Sequence, residues 1–254
     1  EVVKIVREAS LIMLKRDFTV RSKGGYENLV TSSDEAVQAL LRERLGALLP
    51  GSGFICEEDD IVDVAHEYVW IIDPIDGTCN FSRGIDECCI SVALSHYGEV
   101  VNAVVYSPWR NELYYAEKGS GAFLDGKPIH VSDRPFKDGL LCCAMSTYRK
   151  EYAAVCSEII MDAYCKCNDV RRFGSAAIEL CFLASGKIEL YFEYRLQPWD
   201  YAAGYLILTE AGGKLTDFTG KAPSFCKPSS VLCTNGSLHK QILEIINLTE
   251  EANA

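Results

Sequence analysis

Long apolar runs are absent from this sequence. No stretch of its 254 residues approaches the roughly 18 consecutive apolar residues of a membrane-spanning helix, so no membrane association is expected. Paired soft ligands are absent as well. The twelve cysteines contain no Cys-x-x-Cys, and His66, His96, His130 and His239 show no paired spacing, which excludes a zinc finger and a zinc hydrolase. Positive charge is scarce: 25 Lys and Arg face 36 Asp and Glu, for a net charge of −11. Nucleic acid is therefore not an expected partner, because its phosphates are held by Lys and Arg. Neither a Gly-x-x-x-x-Gly-Lys-Ser/Thr loop nor a Gly-x-Ser-x-Gly elbow occurs, which removes two common routes to phosphoryl and acyl transfer. No signal-peptide pattern opens the chain.

What is present is the composition of a globular protein, 48% hydrophobic and 24% charged. The length suits one large domain or two closely packed halves, divided here as 1–133 and 134–254. The cysteines sit mostly among apolar neighbours, where a thiol behaves as a small hydrophobe, and they are too sparse for a disulfide scaffold. A reducing cytoplasm is the expected location.

Val2, Ile5, Val6, Ala9, Ile12 and Met13 share one helical stripe. Ser32-Ser-Asp34-Glu35 reads as a capping box with Ser32 as cap, opening a helix with Val37, Leu40, Leu41, Leu45 and Leu48 on its apolar face. Residues 69–72 are apolar and read as a buried strand. Pro74 lacks an N–H for the ladder and should end that strand at Asp73. Short β-prone runs at 88–95, 100–107, 113–117 and 122–124, separated by turns, make an antiparallel meander. The second half alternates helices (150–164, 175–184, 198–210, 238–248) with extended runs (167–172, 188–192, 214–217, 231–234), a mixed α/β pattern.

Carboxylates gather at element boundaries. Asp73 and Asp76 stand on a turn at a strand end, Glu57 and Glu58 precede an acidic loop, Asp34 lies in a helical first turn, and Asp200 follows Pro198 and Trp199 at a helix start. Singly, each has an ordinary reading. Asp-Pro and Asp-Gly are turn pairs, Asp34 and Asp200 suit helix starts, and Thr78 and Ser175 can cap their own turns. Together they would repel one another without a cation between them. An all-oxygen donor set suits Mg²⁺ or Mn²⁺. Such ions would also reverse the local field for a small phosphorylated substrate, which the net charge of −11 otherwise repels. A cysteinyl-phosphate route is not expected, and the Asp73 to Asp76 spacing does not fit the Asp-x-Asp of haloacid-dehalogenase phosphatases. Metal-assisted hydrolysis without a covalent intermediate remains.

At this point the sequence resembles the inositol monophosphatase family of Mg²⁺-dependent, lithium-sensitive phosphatases. Glu57-Glu58 matches the family's acidic pair, Asp73-Pro-Ile-Asp76-Gly-Thr78 its central motif, and Trp199-Asp200-Tyr-Ala-Ala-Gly204 its later one. Lys23, Leu29-Val-Thr-Ser-Ser-Asp34, Gly174-Ser175-Ala176 and Thr209-Glu-Ala-Gly-Gly213 match in the same order. The resemblance implies an α+β fold, a layered αβαβα sandwich with an antiparallel first sheet and a mixed α/β second half. It implies Glu57, Asp73 and the Ile75 carbonyl as ligands of one Mg²⁺, and Asp73, Asp76 and Asp200 of a second. Glu57 and Thr78 would orient a metal-activated water, with Asp34 polarising the Thr78 hydroxyl. Gly77 and Thr78 amides would hold phosphate oxygens, and Asp76, Ser175, Ala176, Glu193, Arg195 and Asp200 would also face substrate. Inositol monophosphate or a related polyol or sugar phosphate is the implied substrate, and the implied assembly is a homodimer. Fructose 1,6-bisphosphate, 3′-phosphoadenosine 5′-phosphate, NADP and histidinol phosphate are alternatives within the superfamily; a non-catalytic binding homologue is a remote one. Asn28 replaces the family's usual aspartate, which bears on a weak third ion. Arg195, where animal-type enzymes carry glycine, reads first as a plain surface charge; beside the pocket it would instead favour a second anionic group on the substrate.

Overall fold

Alternation along the strands sorts this protein into layers. In the computed structural model, which describes residues 1–23, 29–59, 65–147 and 149–253, α1 (Val2–Lys15) and α2 (Ser32–Leu48) cover one face of a seven-stranded sheet. That sheet runs β3 (Gly53–Cys56), β4 (Tyr68–Asp76), β5 (Cys89–His96), β6 (Glu99–Ser107), β7 (Glu112–Glu117), β8 (Ala122–Leu124), β9 (Lys127–Pro128). A ribbon of β1 (Val20–Ser22) and β2 (Leu29–Thr31) leads into α2, and α3 (Thr78–Ser82) is a single turn after β4. The middle layer is α5 (Ala176–Ala184) with α6 (Pro198–Glu210). Beyond it lies a five-stranded sheet ordered β11 (Asp169–Arg171), β10 (Leu140–Cys143), β12 (Leu190–Leu196), β14 (Ser229–Thr234), β13 (Lys214–Thr216). Its outer face carries α4 (Ala153–Tyr164) and α7 (His239–Asn253), which completes an αβαβα sandwich of the α+β class.

Period two decides which side chain enters which layer. On β4, Trp70 and Ile72 join Val6, Met13, Leu41 and Leu45 beneath α1 and α2, while Val69 and Ile71 turn toward the middle helices. On β12, Leu190 and Phe192 face α4 and α7, and Tyr191 faces inward. α5 is buried along its whole length, as a helix between two sheets must be. The two middle helices approach closely at Gly204, where an added Cβ would lie 2.7 Å from Leu180 Cβ.

Several local expectations change. β4 does not stop at Asp73. Its register shifts so that Asp73 pairs with Ser91 and Asp76 with Cys89, and this bulge absorbs Pro74, which has no N–H to offer. The cap of α2 is Thr31 rather than Ser32: Thr31 Oγ1 accepts from the Ser33 and Asp34 amides, and Thr31 N donates to Asp34 Oδ2 at 2.8 Å. Ser32 instead accepts from Thr19 N at 3.0 Å and ties the ribbon to the helix. The first sheet is not wholly antiparallel, because β3 pairs with β4 in parallel. β10 falls in no expected element; it is a mostly buried strand parallel to β11 and β12, and it shows no polar alternation to detect. Asn28 lies outside the described residues. Among those described, no helix is long and apolar enough to cross a membrane, and all twelve cysteines are free thiols.

Gly204→Ala tests the helix contact. Helix propensity favours alanine by about 1 kcal/mol, whereas overpacking costs about 1–3 kcal/mol. Because the obstructing atom is a Cβ and cannot swing aside, Tm should fall in a thermal melt; an unchanged or raised Tm would show that the helices separate freely. His239 supplies a pH test. It lies buried between Thr216 Oγ1 (2.9 Å) and Thr234 Oγ1 (3.1 Å), and burial, then the Lys214 charge, lowers its pKa from 6.5 to about 4. The unfolded chain takes up this proton first, so the contribution of His239 is complete above pH 6.5 and shrinks as pH falls toward 4. His239→Gln should therefore lose less Tm than wild type across that interval, and equal losses would reject the assignment.

Candidate active site

Parity puts Asp73 on the inner side of β4, in line with Val69 and Ile71. The bulge then brings Asp76 to the start of α5, where its Oδ2 accepts from Ser175 Oγ (2.6 Å) and Ala177 N (2.7 Å). Asp200 enters from the first turn of α6, its Oδ2 accepting from Gln197 N at 2.7 Å. One oxygen from each of Asp73, Asp76 and Asp200 lies within 4.8 Å of the others. Because β3 and β4 run parallel, their carboxyl ends meet: Glu57 N donates to Ile72 O at 3.2 Å, and Glu57 lines the same cavity as Asp73.

The turn after β4 is tightly built. Thr78 Oγ1 lies 3.1 Å from Asp34 Oδ1 and 3.0 Å from Ile75 O, so its proton is committed inward. Gly77 has φ +91°, and a Cβ there would stand 3.0 Å from Glu87 O and 3.3 Å from Gly174 O; the turn requires glycine. Asn80 Nδ2 donates to Glu87 O and to Phe173 O, 2.7 Å each, lacing the Gly77 turn to the one at 173–174. Glu179 supports that second turn by accepting from Phe173 N at 2.6 Å. Ser175 makes no cap bond to α5, since its hydroxyl serves Asp76. Asp200 caps α6 and faces the cavity as well.

Crowding shows in the protonation of these groups. Burial, then the charges of Glu57, Asp76 and Asp200, pushes Asp73 well above the ordinary carboxylate range. Burial, then Asp76 and Glu57, does the same to Asp200. Burial raises Glu57 to about 7 despite Lys23, and Asp76 to about 6 despite its Ser175 and Ala177 bonds. Lys23 Nζ lies 3.5 Å from Glu57 Oε1 and 2.6 Å from Glu58 Oε1. Among the described residues no ion pair reaches Asp73, Asp76 or Asp200. Oxygen donors with uncompensated negative charge, and no histidine among them, fit a hard divalent cation. Asp73, Asp76 and Asp200 could hold such an ion, and Glu57 and Ile75 line the same cavity.

A cavity of about 510 Å³ opens over these carboxylates, with Gly77, Thr78, Ser175, Ala176 and Glu193 in its wall. Glu193 accepts from Tyr191 Oη at 2.8 Å, and burial raises it to about 7. Arg195 is not brought to the cavity. The β12–β14 register shifts between Glu193 and Leu196, so parity breaks: Leu196 lines the cavity and Arg195 is exposed. The cations that do line it are Arg83, Lys150 and Arg172. They carried no signal in the sequence, nor did Asn80, because each acts across a tertiary contact. Cys-x₅-Arg spacing occurs twice, at Cys143 with Arg149 and at Cys165 with Arg171. Neither forms a phosphate cradle: burial pushes the Cys143 thiol up to about 12, and the two arginines pair with Glu151 and Asp169.

A profile of the inositol monophosphatase family matches residues 1–251. A fructose-1,6-bisphosphatase/inositol-1-monophosphatase of Thermotoga maritima is 34% identical over 249 residues, 96% of this chain and 94% of that protein. Nus factor SuhB of Escherichia coli (strain K12) is 36% identical over 224 residues, 86% of this chain and 84% of its own. The crystal structure of an IMPase/NADP phosphatase complexed with Mg²⁺ and phosphate matches with a TM-score of 0.85 at 25% identity, covering 94% of this chain and 90% of that one. Agreement in profile, sequence and fold over almost the entire length places this chain in the inositol monophosphatase family.

Proposed function

We propose that this protein is a Mg²⁺-dependent phosphomonoesterase that hydrolyses an inositol monophosphate or a related polyol or sugar phosphate. The convergence of Asp73, Asp76 and Asp200 within 4.8 Å, with Glu57 beside them, carries the reading. Two Mg²⁺ ions held there, or Mn²⁺ in their place, would neutralise the phosphate and acidify a water. The remaining roles belong to the chain itself. Thr78, its own proton committed toward Asp34 and Ile75 O, presents oxygen lone pairs to the cavity and orients the attacking water together with Glu57. Ser175 and Ala177 occupy one oxygen of Asp76, and Gln197 N one oxygen of Asp200, so each carboxylate turns its other oxygen to the site. Gly77 and Thr78 amides hold phosphate oxygens at the start of α3. Glu193, with one oxygen held by Tyr191, accepts a substrate hydroxyl beside Ala176.

The net charge of −11 favours a small substrate over nucleic acid. Twelve free thiols suit a reducing cytoplasm, and the same reading takes the chain as a homodimer. One relative is named a Nus factor, so a homologue without turnover is the competing reading; phosphate release with and without Mg²⁺ separates the two. A panel of esters ranked by kcat/KM would choose among inositol phosphate, fructose 1,6-bisphosphate, 3′-phosphoadenosine 5′-phosphate, NADP and histidinol phosphate.

Asp73→Asn and Asp76→Asn should each cut phosphate release to no more than a few per cent of wild type, with the circular-dichroism spectrum intact. Higher residual turnover would overturn the assignment. Mg²⁺ should raise the wild-type Tm, because a ligand that binds only the folded state stabilises it and here also relieves repulsion among buried carboxylates. Chelation should remove both the gain in Tm and the activity. A Tm indifferent to Mg²⁺ in wild type, or still responsive in Asp73→Asn, would count against the site.

A further inference from the structure

Glu57 is the carboxylate of the site that the backbone supports least. Asp34, Asp73, Asp76 and Asp200 each accept from a main-chain amide. Among the described residues no such amide donates to the Glu57 carboxyl, which has Lys23 Nζ 3.5 Å away. Its direction is therefore set by the turn on which it stands. Residues 56–59 leave β3 in a turn closed by Asp59 N to Cys56 O at 3.4 Å. The two amides inside such a turn need acceptors from elsewhere. Glu57 N finds Ile72 O, and Glu58 N finds Gln38 Oε1 at 3.0 Å.

Gln38 is buried on α2, one turn beyond Asp34 and on the same face of the helix. Its Nε2 donates to Asp59 Oδ1, also at 3.0 Å, so one side chain grips the two residues that follow Glu57. The partners fix which end of the amide is which, since Glu58 N can only donate and the Asp59 carboxylate can only accept. Arg42, a further turn along α2, takes the other Asp59 oxygen. A carboxylate in place of the Gln38 amide would face Asp59 with like charge, and an alkyl chain would leave the Glu58 amide without its acceptor. α2 thus serves both flanks of the acidic centre: Asp34 accepts from the Thr78 hydroxyl, and Gln38 holds the Glu57 turn. Gln38 itself does not line the cavity.

We infer that Gln38 is a positioning residue for Glu57, and that it sets the affinity of the site for its cation while leaving the hydrolytic step unchanged. This rests on the reading of the site as a Mg²⁺-dependent phosphatase and deepens it.

Isothermal titration of Mg²⁺ into the protein, with no ester present, reads the effect directly. Gln38→Glu keeps an acceptor for Glu58 N but sets a like charge against Asp59, and Kd should rise about tenfold, the worth of one hydrogen bond to a charged group. The sign is diagnostic, because an added negative charge acting through space alone would tighten Mg²⁺ binding. Gln38→Glu together with Asp59→Asn reverses donor and acceptor across the same contact at the net charge of wild type, and should return Kd to within about twofold. At saturating Mg²⁺, kcat on inositol 1-phosphate should change by less than about twofold in both variants. A Kd unchanged or lowered in Gln38→Glu, a paired variant no better than the single one, or a loss that falls on kcat overturns the assignment. A merely structural Gln38 would lower the Tm of metal-free protein and leave Kd alone, and that outcome also rejects it. Where Gln38→Glu does not fold, the paired variant decides: a wild-type Kd supports the contact and a weaker one refutes it. Wild-type protein that binds Mg²⁺ yet releases no phosphate from any ester sinks the phosphatase reading, and the Kd comparison then still judges Gln38.

Discussion

Mutual repulsion among buried carboxylates is the constraint the structure is built around. Asp34, Asp73 and Asp76 are buried, with Asp200 and Glu57 close by, and no arrangement of like charges in low dielectric is stable without compensation. The chain supplies part of it through backbone amides. Asp34 accepts from Thr31 N, Asp73 from Ile75 N, Asp76 from Ala177 N and Asp200 from Gln197 N, at 2.7–3.0 Å. Three of these contacts involve the first turns of α2, α5 and α6, so three helix N-termini converge on the anionic centre and their dipoles favour it. The support is incomplete. Asp73 and Asp200 are still driven toward protonation, and this residual deficit is what a cation removes.

Anchoring one oxygen of each carboxylate also sets the direction of the other. A side chain held by a single amide at an element boundary has little freedom left, so the donor set is arranged by the fold before any ligand arrives. The same economy explains the irregular strands. β4 shifts register between Asp73 and Asp76, and β12 between Glu193 and Leu196. In a regular strand one face would be lost to the core at each step of two; a bulge lets successive functional groups reach the same cavity. Both irregularities lie at the site, while the paired stretches of β4 and β12 that precede them keep strict register.

Those bulges are also where sequence reasoning fails. Reading Pro74 as a strand end respected its missing N–H but ignored that β5 could skip a register step beside it. The substrate-side place of Arg195 came from the resemblance alone; the register shift after Glu193 leaves it exposed, as its reading as a plain surface charge has it. The box at α2 shifted to Thr31 because Asp34, not Glu35, turns inward; Glu35 pairs with Arg21 at the surface. β10 was invisible because buried parallel strands show no polar alternation, and the parallel pairing of β3 with β4 cannot be read from either strand alone. What local pattern does carry, it carried well: the meander, the middle helices, and the carboxylates of the acidic centre, although Asp73 lies inside β4 and not at its end.

The two kinds of legibility reflect two kinds of physics. Asp34, Asp73 and Asp200 are anchored by amides two or three residues away, so a few residues of sequence contain most of the information, whereas Asp76 is held by Ser175 and Ala177, 99 and 101 residues away. Arg172 is positioned by Thr147, 25 residues away, and its relation to Glu193 depends on the packing of β10 and β11 against β12. Most of the acidic centre is thus written locally, whereas the cavity wall that carries Arg172 is assembled from segments distant in sequence.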